Sequence, residues 1–145
     1  MATTTATLTV SSLDLQPGNT LSISASSTLM QAGLTTGLTQ VEAGVIKLSN
    51  GVESRLGPLA TEIRGSAHDI GSYLYLCNTA TDATYYVEWG IHETVIGRLY
   101  AGDWMLIPWN ASDDDAELEL EAENGDQIIE YAWFNNDFAP PAAAS

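Results

Sequence analysis

The chain has 145 residues, 45% apolar and 16% charged, with 19 acidic side chains against four basic ones and a formal net charge of −15. That balance excludes a general nucleic-acid binder, whose phosphate contacts need clustered Lys and Arg, and argues against docking on anionic membranes. No apolar run reaches the roughly 20 residues of a membrane span, residues 1–10 lack the basic and apolar regions of a secretory signal, and a single cysteine, Cys77, excludes an internal disulfide or a multi-Cys zinc site.

In chain order, the first forty residues contain no Lys or Arg, and sixteen of them are Ser or Thr. Residues 3–10 and 21–27 alternate weakly around Pro17-Gly18 and predict two strands; residues 27–34 fit a short helix. Residues 40–48, then Asn50-Gly51, then 52–56 resemble a hairpin, although Gly44 weakens any assignment of 41–47. This Ser/Thr-rich part, residues 1–59, reads as an arm or a strand annex.

All four Trp and all six Tyr fall beyond Ile70, and residues 60–138 read as the packed domain. Residues 72–78 place Tyr73, Tyr75 and Cys77 on one face and Leu74 and Leu76 on the other, so the strand is expected to be central or covered by a partner. Strands over 83–90, 94–100 and 104–109 follow, the last two joined by Ala101-Gly102-Asp103. Residues 116–123 alternate most cleanly, with Ala116, Leu118, Leu120 and Ala122 inward and Glu117, Glu119, Glu121 and Glu123 outward. Asn124-Gly125 supplies the positive φ angles of a two-residue hairpin, and the chain returns through 127–134. Leu118, Leu120, Ile129 and Tyr131 are the expected core of that pair. Strands at this spacing with Gly and Asn turns predict an all-β fold, an antiparallel β-sandwich, jelly-roll-like, with the N-terminal arm or extra strands added to it. Residues 139–145 read as a tail.

Sites for chemistry are sparse. His68 beside Asp69 and His92 beside Glu93 lack both a nucleophile-elbow pattern and a second zinc-ligand histidine, since Ile96 stands where the latter would be. Asp113, Asp114, Asp115 and Glu117 could bind calcium, but Leu118 occupies the place of the glycine that the EF-hand loop needs. No catalytic residue, cofactor or metal site is expected. Cys77 reads as a buried, inert thiol. Among Trp89, Trp104, Trp109 and Trp133, Trp109 beside Pro108 is the expected exposed aromatic, and Tyr73 and Tyr75 with it are the interface candidates.

The stretches Tyr73-Leu74-Tyr75-Leu76-Cys77-Asn78, Tyr85-Tyr86-Val87-Glu88-Trp89-Gly90 and Arg98-Leu99-Tyr100-Ala101-Gly102-Asp103-Trp104 together resemble the capsid decoration, or cement, proteins of tailed phages. The likeness spans 70–134, a little under half the chain, and is one of strand and turn texture. It implies a homo-oligomer on the outer capsid surface that bridges major capsid proteins, assembled in the host cytoplasm, with the Ser/Thr-rich part as a gripping arm or an additional β-layer. The alternative is a carbohydrate-binding module on a tail fibre or cell surface, which needs an exposed aromatic platform.

Overall fold

The computed structural model describes residues 4–16, 19–29, 40–51, 53–55, 72–91, 94–109 and 118–135. They form ten strands: β1 (Thr5–Gln16), β2 (Asn19–Thr28), β3 (Gln40–Leu48), β4 (Glu53–Arg55), β5 (Ser72–Asn78), β6 (Tyr86–Ile91), β7 (Thr94–Tyr100), β8 (Trp104–Trp109), β9 (Leu118–Glu123) and β10 (Gln127–Asn135). No helix occurs among the described residues, and so none long and apolar enough to cross a membrane. The short helix expected over 27–34 begins instead as strand, since Ser27 and Thr28 close β2; residues 30–34 lie outside the described residues.

The fold is an antiparallel β-sandwich. A front sheet runs β3-β10-β5-β8 and a back sheet β4-β9-β6-β7, while β1 and β2 form a separate two-stranded ribbon. The stretches at 40–48 and 53–55 thus supply one edge strand to each sheet. The sandwich pairing is nested: β3 pairs with β10, β4 with β9, β5 with β8 and β6 with β7. It is one long antiparallel ribbon, rolled until β10 meets β5 and β9 meets β6. Rolling makes the chain change sheet at every connection within the sandwich except β6 to β7.

This corrects the hairpin role expected of Asn50-Gly51 and Asn124-Gly125. Asn124 (φ 68°) and Gly125 (φ 150°) do adopt the positive angles their residue types favour, as does Gly102 (φ 83°). Yet β9 and β10 lie in different sheets, as do β7 and β8, and β3 and β4. The turns are corners between layers, not hairpin ends. Asn50 stitches one corner to another, since its Oδ1 accepts from Gly125 N at 2.8 Å while its own N donates to Asp126 Oδ1 at 3.1 Å.

The core lies between the sheets. Leu48, Leu74, Leu76 and Ile129 from the front meet Val87, Leu99, Leu118, Leu120 and Ala122 from the back, and Trp109 closes one side. Each fully buried Leu or Ile stabilises the fold by about 1.5–3 kcal/mol through the hydrophobic effect. Tyr131, expected beside Ile129, is half-buried and packs against this cluster. Two glycines allow close approaches. Ile96 is an extra residue in β7, where pairing slips between Trp89/Gly97 and Gly90/Val95. A Cβ on Gly90 would stand 2.3 Å from Thr94 O, and one on Gly97 would stand 2.8 Å from the Trp89 Nε1.

One polar strut crosses the core. Asn78, fully buried, donates from Nδ2 to Leu99 O (3.0 Å) and to Gln127 Oε1 (2.8 Å), and its Oδ1 accepts from Ala80 N (3.0 Å). Gln127, also buried, donates from Nε2 to Tyr86 O and Glu123 O, both at 2.8 Å. Two front-sheet side chains therefore hold the backbone of three back-sheet strands, and buried polar groups this well partnered fix the relative placement of the layers.

Candidate interaction surface

The two outer faces of the sandwich differ in chemistry, and the register shows how. On the front sheet, the residues pointing away from the core form rows across four strands: Val41, Phe134, Tyr73 and Pro108; then Ala43, Ala132, Tyr75 and Leu106; then Val45, Glu130, Cys77 and Trp104. Glu130 is the one charged residue in those three rows, and Lys47 opposite Ile128 extends them at one end. Val41, Val45, Trp104 and Ile128 are about half exposed or more. A monomer usually buries or interrupts such a continuous apolar surface, so it marks a contact surface.

The back sheet is richer in charge, although Val95, Ile96 and Tyr100 of its edge strand β7 are also exposed. Glu119, Glu121 and Glu123 of β9 stand opposite Gly90, Glu88 and Tyr86 of β6. Arg98 is held there by Glu88 Oε1, at 3.0 Å from Nε and 2.9 Å from the terminal nitrogen, and its guanidinium lies 4.6 Å from the Tyr86 ring centroid. Hydrogen bonding to Tyr100 and then to Glu88 raises the Arg98 pKa further, so the cation is permanent. Tyr86 and Tyr100 extend the stack at 5.5 Å. A cavity of about 230 Å³ is lined by Glu88, Glu119 and Glu121 together with Trp89. Among the described residues, no group of three or more His, Cys, Asp or Glu is placed to hold a metal ion. Glu119 takes the outward side expected of it but is not solvated there: it is 8% exposed, because β9 is an inner strand flanked by β4 and β6.

The β1–β2 ribbon continues the apolar side. Its register sorts residues 5–12 and 21–28 by face. Thr5, Thr7, Thr9 and Ser11 face Thr28, Ser26, Ser24 and Ser22, whereas Ala6, Leu8, Val10 and Ser12 face Ser27, Ala25, Ile23 and Leu21. Over these pairs one side of the arm is all hydroxyl and the other largely hydrocarbon, and beyond them, past a break in register, Leu13 is 79% exposed. The arm is tied at its root, where Leu29 N donates to Thr4 O at 2.8 Å and the Leu29 side chain is buried. There Ala6, Leu8, Ala25 and Leu29 stand over Tyr73, Trp104 and Leu106, enclosing an apolar cavity of about 300 Å³. Further out, Val10, Leu21 and Ile23 remain exposed. A two-stranded ribbon is marginally stable alone, so this one needs a surface to lie on.

The sequence-predicted candidates divide here. Tyr73 and Tyr75 do lie on the outer front face, half-buried. Burial, followed by the Cys77 thiol and the Glu130 carboxylate, raises the Tyr75 phenol above its ordinary value, so it stays neutral. Trp109 is a correction: it is 5% exposed and belongs to the core, because it shares the inner side of β8 with Met105 and Ile107. Trp104, at the other end of the same strand and on the other face, is the exposed indole at 54%. Its ring lies 6.4 Å from Tyr75, tilted by 33°. Cys77 is likewise corrected, from buried to half-exposed on the outer face. His68, Asp69, His92, Glu93, Asp113, Asp114, Asp115 and Glu117 lie outside the described residues. Val41, Val45 and Ile128 were missed, although their alternation with inward-facing Ile46, Leu48 and Ile129 is present in the sequence. Comparison of the chain with protein-family models, with curated proteins and with solved structures found no match.

Proposed function

We propose that this chain is a non-enzymatic structural protein of a virion, which binds the outer capsid surface and stabilises the shell by bridging major capsid proteins. The observation that carries the reading is the molecule's two-sidedness. An apolar front face continuous with an amphipathic arm suits adhesion to a protein surface, and a carboxylate-rich back face suits exposure to water. Adhesion needs no pocket chemistry, and weak individual contacts suffice when many copies bind one shell. The nested, rolled strand order fits a jelly roll, an architecture that viral coats and lectins both use, and that likeness is one of fold alone.

The test is co-sedimentation with assembled particles. The full chain is expected to pellet with virions, and deletion of residues 2–18 is expected to weaken attachment while leaving the sandwich folded. Particles stripped of the protein should break at lower temperature. Virions that contain none of this chain, or whose mechanical stability is unchanged by its removal, would refute the reading. A second reading, carbohydrate binding, is favoured by one observation, the exposed Trp104 beside Tyr75 on a flat face. It predicts a shift of tryptophan fluorescence on adding glycans that Trp104→Ala abolishes.

A further inference from the structure

Two bare apolar surfaces of this molecule match in width and length, and we propose that they meet between copies: the outer half of the arm of one copy lies on the β3–β10 half of the front sheet of the next, so that each copy gives one arm and receives one. The proposal deepens the structural reading above by naming how copies join one another, and it is tested without any shell.

The arm root occupies only one half of the front sheet. It sits over Tyr73, Trp104 and Leu106, which belong to β5 and β8. That leaves the β3–β10 half uncovered, with Val41 at 55%, Val45 at 66% and Ile128 at 49% exposure. It also leaves the outer arm uncovered, with Val10 at 40% and Ile23 at 47%. A ribbon of two strands and a half-sheet of two strands are each about 10 Å wide, and the nine residues of β3 span about 30 Å, close to the reach of the outer arm.

Area decides that the exchange is reciprocal. One such footprint, limited by residues 9–16 of the arm, is about 250 Å² on each partner, and a single contact would bury about 500 Å² in total, the size of a crystal contact. When two copies exchange arms the total doubles to about 1,000 Å², the lower bound of a specific interface. Charge favours the same pair of surfaces. At −15 per chain, copies repel each other, but the front rows carry only Glu130, with Lys47 of opposite sign nearby, and the paired residues 5–12 and 21–28 of the arm carry hydroxyl and hydrocarbon groups, Asp14 being the one charged residue of the two arm strands. Stacking arm on sheet buries hydrocarbon on both sides and turns the hydroxyl side of the arm outward.

The test uses the full chain free of particles. Light scattering should give the mass of two copies, and added salt should raise the associated fraction, because screening weakens repulsion between acidic copies. Val10→Ser with Ile23→Ser on the arm, and separately Val45→Ser with Ile128→Ser on the sheet, should each yield monomers with unchanged circular dichroism. Contact geometry is read by disulfide trapping on a Cys77→Ser background. In a chain carrying Ile23→Cys and Val45→Cys, oxidation should link position 23 of one copy to position 45 of another. A wild-type monomer at every soluble concentration overturns the proposal, and so does an oligomer that survives either pair of Ser substitutions. Links only of 23 to 23 or of 45 to 45 also overturn it, in favour of arm-on-arm or sheet-on-sheet packing. Shell binding by a chain that stays monomeric in solution would sink this inference and leave the structural reading standing.

Discussion

The Asn78–Gln127 strut offers the sharpest quantitative test of how the layers are held. Replacing Asn78 by Leu keeps the number and branching of the side-chain heavy atoms and deletes three hydrogen bonds. Ala80 N is only part-buried and can turn to water, but Leu99 O and Gln127 Oε1 each lose a partner inside the core. At about 1–3 kcal/mol per buried polar group stripped of its partner, the loss comes to about 2–6 kcal/mol. Against a typical domain stability of about 5–15 kcal/mol, that is a large fraction. Gln127→Leu should cost a comparable amount, since Tyr86 O and Glu123 O lose their donor. The double substitution should cost less than the two singles together by about 0.5–3 kcal/mol, because both singles break the same Asn78–Gln127 bond. Urea unfolding followed by tryptophan fluorescence gives each value by linear extrapolation. A loss below about 1 kcal/mol for Asn78→Leu, or strict additivity of the pair, would refute the view that the strut ties the sheets together.

Three further outcomes follow from the same coordinates. Trp109→Ala should destabilise by about 3–5 kcal/mol and Trp104→Ala by under about 1 kcal/mol, measured by the same unfolding curves; the reverse order would mean the phase of β8 is wrong. Gly90→Ala should cost about 1–3 kcal/mol through the collision of its Cβ with the Thr94 carbonyl, whereas Gly51→Ala, with open space around it, should show only the smaller strain of its positive φ. Asp126, its carboxyl held low by Lys47 at 3.0 Å and by the Asn50 amide, should stabilise the corner fully above its ordinary value of 3.8 and lose that contribution as pH falls below it. Urea unfolding midpoints should therefore fall less with decreasing pH for Asp126→Asn than for the parent below that point.

Much of this fold is legible in the residues, and what is not has identifiable causes. The inward set Leu118, Leu120 and Ala122 is readable because Glu occupies every alternate position. Turn chemistry is readable too: Asn124-Gly125 needs positive φ and has it. Which sheet the next strand joins is a different matter, since a turn fixes local angles while sheet membership is settled by apolar burial between segments distant in sequence. Strand β8 shows a second limit. Trp104, Leu106 and Pro108 are as apolar as Met105, Ile107 and Trp109, so alternation carries no phase, and the two indoles, an odd number of residues apart, must face opposite ways. The ambiguity that hid the exposed tryptophan thus has the same origin as the candidate contact surface: β8 is apolar on both sides.

The nested pairing has a consequence for how the molecule is made and for how it can be recut. Its innermost pair, β6 with β7, closes a short loop, and each successive pair outward closes a longer one, ending with Gln40 beside Asn135. Loop-closure entropy is smallest at the centre, so zippering from the β6–β7 hairpin outward is the route of least cost, and the edge strands are the last to be secured. Because the outermost partners end side by side, the sandwich is almost a closed circuit. A short linker from 135 to 40, with new termini opened at the exposed Asp82–Thr84 turn, would give a circular permutant in which the latest pairing becomes a local one. The β6–β7 hairpin would stay as local as before, so assembly would gain a second starting point while the set of strand neighbours stayed the same.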